Sequence, residues 1–108
     1  AVALYYLPAG ERIAMTDREL LELAAKAAGY RGKWDNQWWA MCAGENYWDP
    51  LRSKVQAFKL GVKVKLPGAF DEAWVISNTS IQEYERDPES ATQRAIVRAA
   101  AEIGKAMP

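Results

Sequence analysis

The residues of this chain that are able to do chemistry fall into two groups. The first is a set of carboxylates: Glu45, Asp49, Asp71, Glu72, Glu83 and Glu85. Paired carboxylates can act as acid and base in hydrolysis. None of these stands in a distinctive motif, and Asp49 is placed as a helix cap. The second group is aromatic. The stretch KWDNQWWAMCAGENYW, from Lys33 to Trp48, holds Trp34, Trp38, Trp39 and Trp48, four of the chain's five tryptophans. Arg31 and Lys33 stand beside them. Bases stack on aromatic faces while cations follow phosphates, and each stacked base contributes roughly 1–3 kcal/mol. Exposed tryptophans are equally able to anchor a protein interface.

What is missing narrows the choice. The chain has no histidine and a single cysteine, Cys42. A Ser-His-Asp or Cys-His nucleophile is therefore impossible, and a zinc site lacks its usual ligands. Cys42 reads as a small buried hydrophobe. Gly29, Gly32, Gly61 and Gly68 do not have the spacing of a phosphate-binding loop. The expectation is a non-catalytic protein with no metal and no cofactor.

Charge and hydropathy bound the partners. Fourteen basic and fourteen acidic residues give a formal net charge of zero, whereas a dedicated nucleic-acid binder carries a basic excess. The distribution is uneven. From Pro50 to Ala69 come Arg52, Lys54, Lys59, Lys63 and Lys65 with no acid, and from Asp71 to Glu89 six acids come with one base, Arg86. Such blocks read as solvated faces. One cysteine makes no intrachain disulfide and suits a reducing compartment. No run approaches the roughly 18 apolar residues of a membrane span, and no signal peptide of the usual form is present. The expected location is the cytoplasm.

These residues need elements to position them. Thr16 and Glu19 form a capping-box pattern, with Met15 and Leu20 as the flanking hydrophobic staple. Leu20, Leu23, Ala24 and Ala27 follow as an apolar stripe, and Gly29 closes the helix. YRGKW and QWWAMC flank Asp35-Asn36, the expected hairpin turn. Strict alternation then puts Trp38, Ala40 and Cys42 on one face and Trp39 and Met41 on the other. A second helix is expected after Asp49-Pro50, with Leu51, Val55 and Phe58 buried and Gly61 as its stop. VKVKL (62–66), EAWVIS (72–77) and SIQEYE (80–85) read as strands, with Lys63 and Lys65 on an exposed sheet face. Asp87 and Pro88 open a last helix whose stripe is Thr92, Ile96, Ala99, Ala100 and Ile103, ended by Gly104.

The segments MTDRELLELAAKAAG, WDPL with AFKLGVKV, and DPESATQRAIVRAAAEIGKAMP resemble the phage ABA sandwich domain family over most of residues 15–108. The resemblance implies a three-layer α/β/α sandwich, an α+β fold with a mainly antiparallel sheet of four to five strands and three helices, and a phage or prophage origin. It implies no activity. Arg52, Ser53 and Lys54 stand where members of that family often carry acids. Residues 1–14 read as an upstream extension: Gly10-Glu11 can be encoded by a purine-rich ribosome-binding sequence just before Met15. The alternative reading is an edge strand from Val2 to Leu7.

Taken together, the expected function is a small accessory protein that binds and modulates a host or phage protein, a host-defence inhibitor being one version. Most of the tryptophans read as core, with Trp34, Trp38 and Trp48 filling the space between layers; the candidate contact residues are Trp34, Trp38, Trp39 and Tyr47, with Trp39 as the exposed one. The alternative is a nucleic-acid-binding module using Arg31, Lys33, Lys63 and Lys65. No membrane is expected as a partner. An open sheet edge also leaves room for a homodimer.

Overall fold

A computed structural model describes residues 15–35, 38–41, 47–66 and 70–108, with the backbone alone at 35, 38, 40 and 41. Residues 1–14 and Cys42 lie outside this set, as do the readings that fell on them. The elements are α1 (Asp17–Ala28), β1 (Gly32–Asp35), β2 (Trp38–Met41), α2 (Lys54–Lys63), α3 (Glu72–Asn78), α4 (Ile81–Arg86) and α5 (Pro88–Ala106). The long C-terminal helix α5 packs against all four other helices. The expected α/β/α sandwich is not observed. Among the described residues the only sheet is the two-stranded hairpin β1–β2, so the fold that the family resemblance implies does not hold.

Helix α1 forms as its local chemistry dictates. The Thr16 hydroxyl accepts from the Glu19 amide at 3.1 Å, and the Glu19 carboxylate accepts from the Thr16 amide at 3.3 Å. At the other end Gly29 takes φ 76°. Its amide donates to the Lys26 carbonyl and that of Tyr30 to the Ala25 carbonyl, the paired bonds of a left-handed helix stop. The buried stripe is Leu20, Leu21, Ala24, Ala25 and Ala28, rotated from the expected one. Leu23 and Ala27 are only partly buried.

Three segments expected as strands are helical or turn. Ser80 caps α4 by accepting from the Glu83 amide at 3.1 Å, and Asp71 caps α3 by accepting from the Trp74 amide at 2.9 Å. Side-chain caps three residues ahead of their donors favour helix locally. Val75 then buries against Ala91 and Ala95 of α5, which outweighs the β preference of Trp74, Val75 and Ile76. In VKVKL, α2 runs on to Lys63, and Lys65 takes φ 60°. Lys65 donates to the Val62 carbonyl and Leu66 to the Gly61 carbonyl. This is the same left-handed stop as at Gly29, made without glycine. Lys63 and Lys65 therefore sit at a helix end and not on a sheet face.

The α2 start also differs from expectation. Residues 50–52 form a turn, and Ser53 is the cap, accepting from the Gln56 amide at 3.2 Å. Gly61 lies inside the helix, and its inward face is Ala57, Leu60 and Gly61. Val55 and Phe58, expected in the core, are exposed.

Helix α5 opens on Asp87 and Pro88 as expected. Its buried face is Ala91, Gln93, Ala95, Ile96, Val97, Ala100, Ala101 and Gly104, while Ile103 is exposed. Arg98 joins α3 and α4 to α5, donating to the Asn78 carbonyl and the Glu83 carboxylate, each at 3.4 Å. Burial pushes its pKa below the usual arginine range, and the carboxylate of Glu83 opposes that shift. Gly104 does not end the helix. A Cβ placed there would stand 2.0 Å from the Leu23 carbonyl oxygen. Glycine is required because the α1 backbone passes directly over it.

Two substitutions test this packing. Gly104→Ala should lose more than about 3 kcal/mol, since neither backbone can yield without parting the helices. Gly61→Ala meets only side chains, the Phe70 ring at 3.1 Å and Ile96 at 3.6 Å. It should stay within about 1 kcal/mol of wild type, the gain in helix propensity offsetting the contact. Lys65→Gly should stabilise by about 1 kcal/mol by relieving the left-handed backbone. Urea midpoints at unchanged slope read all three.

Candidate functional site

The aromatic segment builds one wall of a cleft of about 270 Å³. It is lined by Asp17, Arg18 and Leu21 of α1, Trp34 and Trp39 of the hairpin, and Trp48, Asp49 and Arg52 beyond it. The hairpin register sets the geometry. Trp34 pairs directly with Trp39, and Asp35 with Trp38. Asp35, expected in the turn, is thus the last residue of β1, and Asn36 lies outside the described residues. Directly opposed residues share a sheet face. The Trp34 and Trp39 rings meet edge to face, with centroids 5.4 Å apart at 74°, a favoured aromatic arrangement.

Trp34 is held on both sides. Its indole N–H donates to the Glu22 carboxylate. The Arg18 guanidinium lies 4.4 Å from the centre of its ring, within cation–π range. Arg18 and Glu22 are themselves 3.9 Å apart, one helical turn from each other. Trp39 is partly buried and packs against the main core. It is not exposed as expected, and its buried indole nitrogen has no hydrogen-bond partner among the described residues. Trp48 is fully in the core at 6% exposure, with Tyr30 edge-on to it at 5.6 Å. Its amide donates to the Trp39 carbonyl at 2.8 Å, which ties the following loop to the hairpin.

Two glutamines hold that loop in place. Gln56 accepts from the Asp49 amide at 2.6 Å and donates to the Tyr47 carbonyl at 3.1 Å. Gln93, buried in α5, donates to the carbonyls of Pro50 and Leu51 at 3.4 and 3.3 Å. Both cleft carboxylates are already paired. Asp49 holds Arg52 at 2.7 Å, and Asp17 holds Arg94 at 2.9 Å. The hydrogen bond to Asp49 raises the Arg52 pKa further above its ordinary value.

Of the sequence-derived candidates, the fold brings Trp34 and Trp39 together and exposes Tyr47 nearby at 47%. The Trp38 side chain is outside the described set. Arg31 and Lys33 are exposed beside and on β1, and Lys63 and Lys65 are exposed at the end of α2. The cleft residues that sequence reasoning missed are Asp17, Arg18, Leu21 and Arg52, with Asp49 assigned only a capping role. The spacing of Asp17, Arg18 and Leu21 does put them on one helix face, but nothing local says that a hairpin closes over it. The described residues hold no group of three or more acidic, cysteine or histidine side chains able to take a metal. No described helix is long and apolar enough to cross a membrane. Comparison with family models, curated proteins and solved structures gives no match.

The burial of Trp39 makes a direct test. Trp39→Ala should cost about 3 kcal/mol or more, read from chemical denaturation. A nearly unchanged stability would return Trp39 to the role of an exposed anchor.

Proposed function

We propose that this protein is a small non-catalytic binding module whose tryptophan-lined cleft receives a side chain of a protein partner. The observation that carries the reading is the cleft itself: three indoles and two guanidiniums converge on one concavity whose carboxylates are already neutralised. Aromatic and arginine side chains are the residue types that dominate binding energy at protein interfaces. Both cleft arginines sit near the mouth, with Arg52 71% and Arg18 57% exposed at the side chain. They are exposed enough to contact a partner while also holding Trp34 and Asp49. Modulation of that partner is part of the proposal.

The test is affinity capture with the full chain from bacterial lysate, with and without nuclease and at two salt concentrations. A stoichiometric protein that survives nuclease and high salt, and that is lost from an Arg18→Glu, Arg52→Glu double variant that still unfolds cooperatively, is the expected outcome. Material released by nuclease or salt would transfer the site to nucleic acid, whose binding falls steeply as salt rises.

A further inference from the structure

Helix α2 is apolar on two opposite faces. Ala57, Leu60 and Gly61 turn into the molecule. Val55, Phe58 and Val62 turn out, at 62%, 63% and 62% exposure. At the helical repeat these three fall within an arc of about 60°. A surface helix normally carries polar residues on its outer face, and a helix apolar all round is normally covered. The spacing i, i+3, i+7 is that of the anchors by which amphipathic helices dock.

The surface around this stripe has relief and sign. Phe58 stands between two hollows. One, of about 260 Å³, is mostly apolar and includes Ala57, Phe70 and Ile96. The other, of about 340 Å³, is bordered by Tyr30, Val62, Lys59 and Lys63. Lys59 and Lys63 flank the stripe on one side, Lys54 on the other, and the chain carries no acid from Pro50 to Ala69. Lys54 is paired with Glu89 at 2.7 Å. No ion pair among the described residues engages Lys59 or Lys63.

We propose that this face docks an acidic amphipathic helix of a partner protein. Apolar side chains of that helix pack on Val55, Phe58 and Val62, and its carboxylates face Lys59 and Lys63. A second copy of this chain is a poor source of those carboxylates. Of the six acids in its 71–89 block, Asp71 and Asp87 cap helices, Glu83 holds Arg98 and Glu89 holds Lys54, which leaves Glu72 and Glu85, on different helices. The surface is separate from the tryptophan cleft and stands or falls independently of it.

The probe is a fluorescent synthetic helical peptide with leucines at i, i+3 and i+7 flanked by glutamates, and its twin with lysines for the glutamates. Titrated with the full chain, the glutamate peptide is expected to bind, and the twin to bind at least roughly tenfold more weakly. Phe58→Ala should weaken the glutamate peptide by roughly tenfold or more at unchanged melting temperature. Lys59→Glu with Lys63→Glu should weaken it and remove its salt dependence. Absence of binding, equal binding of the twins, or indifference to Phe58→Ala would overturn the proposal. So would self-association, or co-sedimentation with anionic vesicles, that Phe58→Ala abolishes, since each would assign the stripe a different occupant.

Discussion

The structure depends on how closely two helix backbones approach. At Gly104 there is no room for even a Cβ against the Leu23 carbonyl. Ala24, Ala25 and Ala28 on α1 and Ala100 and Ala101 on α5 bury in the same core. Small side chains lose little rotamer freedom on burial, so such a seam is inexpensive in entropy and gains many short-range contacts. Leu20 and Leu21 of α1 and Ile96 and Val97 of α5 add larger apolar side chains to that cluster. Trp48 and Leu60 enter the same cluster from outside the seam. Without the α1–α5 seam, neither α2 nor the loop before it has a surface on which to pack.

The cleft is a consequence of that arrangement. Trp48 is drawn into the core, and the hydrogen bond its amide donates to the Trp39 carbonyl ties the hairpin to it, while Trp34 meets Arg18 and Glu22 of α1. The glutamines at 56 and 93 secure the intervening loop through backbone groups that burial would otherwise leave unpaired. The ion pairs around the cleft have a smaller part in stability, since exposed pairs contribute at most about 1 kcal/mol. Their effect is on shape and charge: each carboxylate is matched locally, and the aromatic walls remain as the surface a ligand meets. The cleft and the α2 stripe thus differ in kind, the first concave and tryptophan-lined, the second a convex ridge with lysines at its margins.

How much of this was legible can be judged from particular residues. The capping box at Thr16 and Glu19, the stop at Gly29 and the Asp87-Pro88 start of α5 were all readable, and all are present. Ser80 and Glu83 carry the same spacing as Thr16 and Glu19, yet SIQEYE was read as a strand because its tyrosine and isoleucine favour sheet. Alternation misled in VKVKL, where a helix end and a left-handed turn produce the same pattern as a half-buried strand. The tryptophan segment is readable as a hairpin, and β1–β2 is one. The side of the hairpin that faces the core was not readable, because a one-residue change in the joining turn changes which side chains oppose.

The sequence by itself determined where helices α1 and α5 begin and where α1 ends, and that no histidine chemistry is available. Those features rest on composition or on bonds between residues three to five apart, which a linear reading contains. The tertiary structure alone decided which face of each helix is buried, that Gly104 is a contact and not a stop, that Trp39 packs inward, and that Val55 and Phe58 do not. A side chain's burial depends on what arrives from elsewhere in the chain. For α2 the arriving element is α5, which meets Ala57 and Leu60 and leaves the opposite face uncovered.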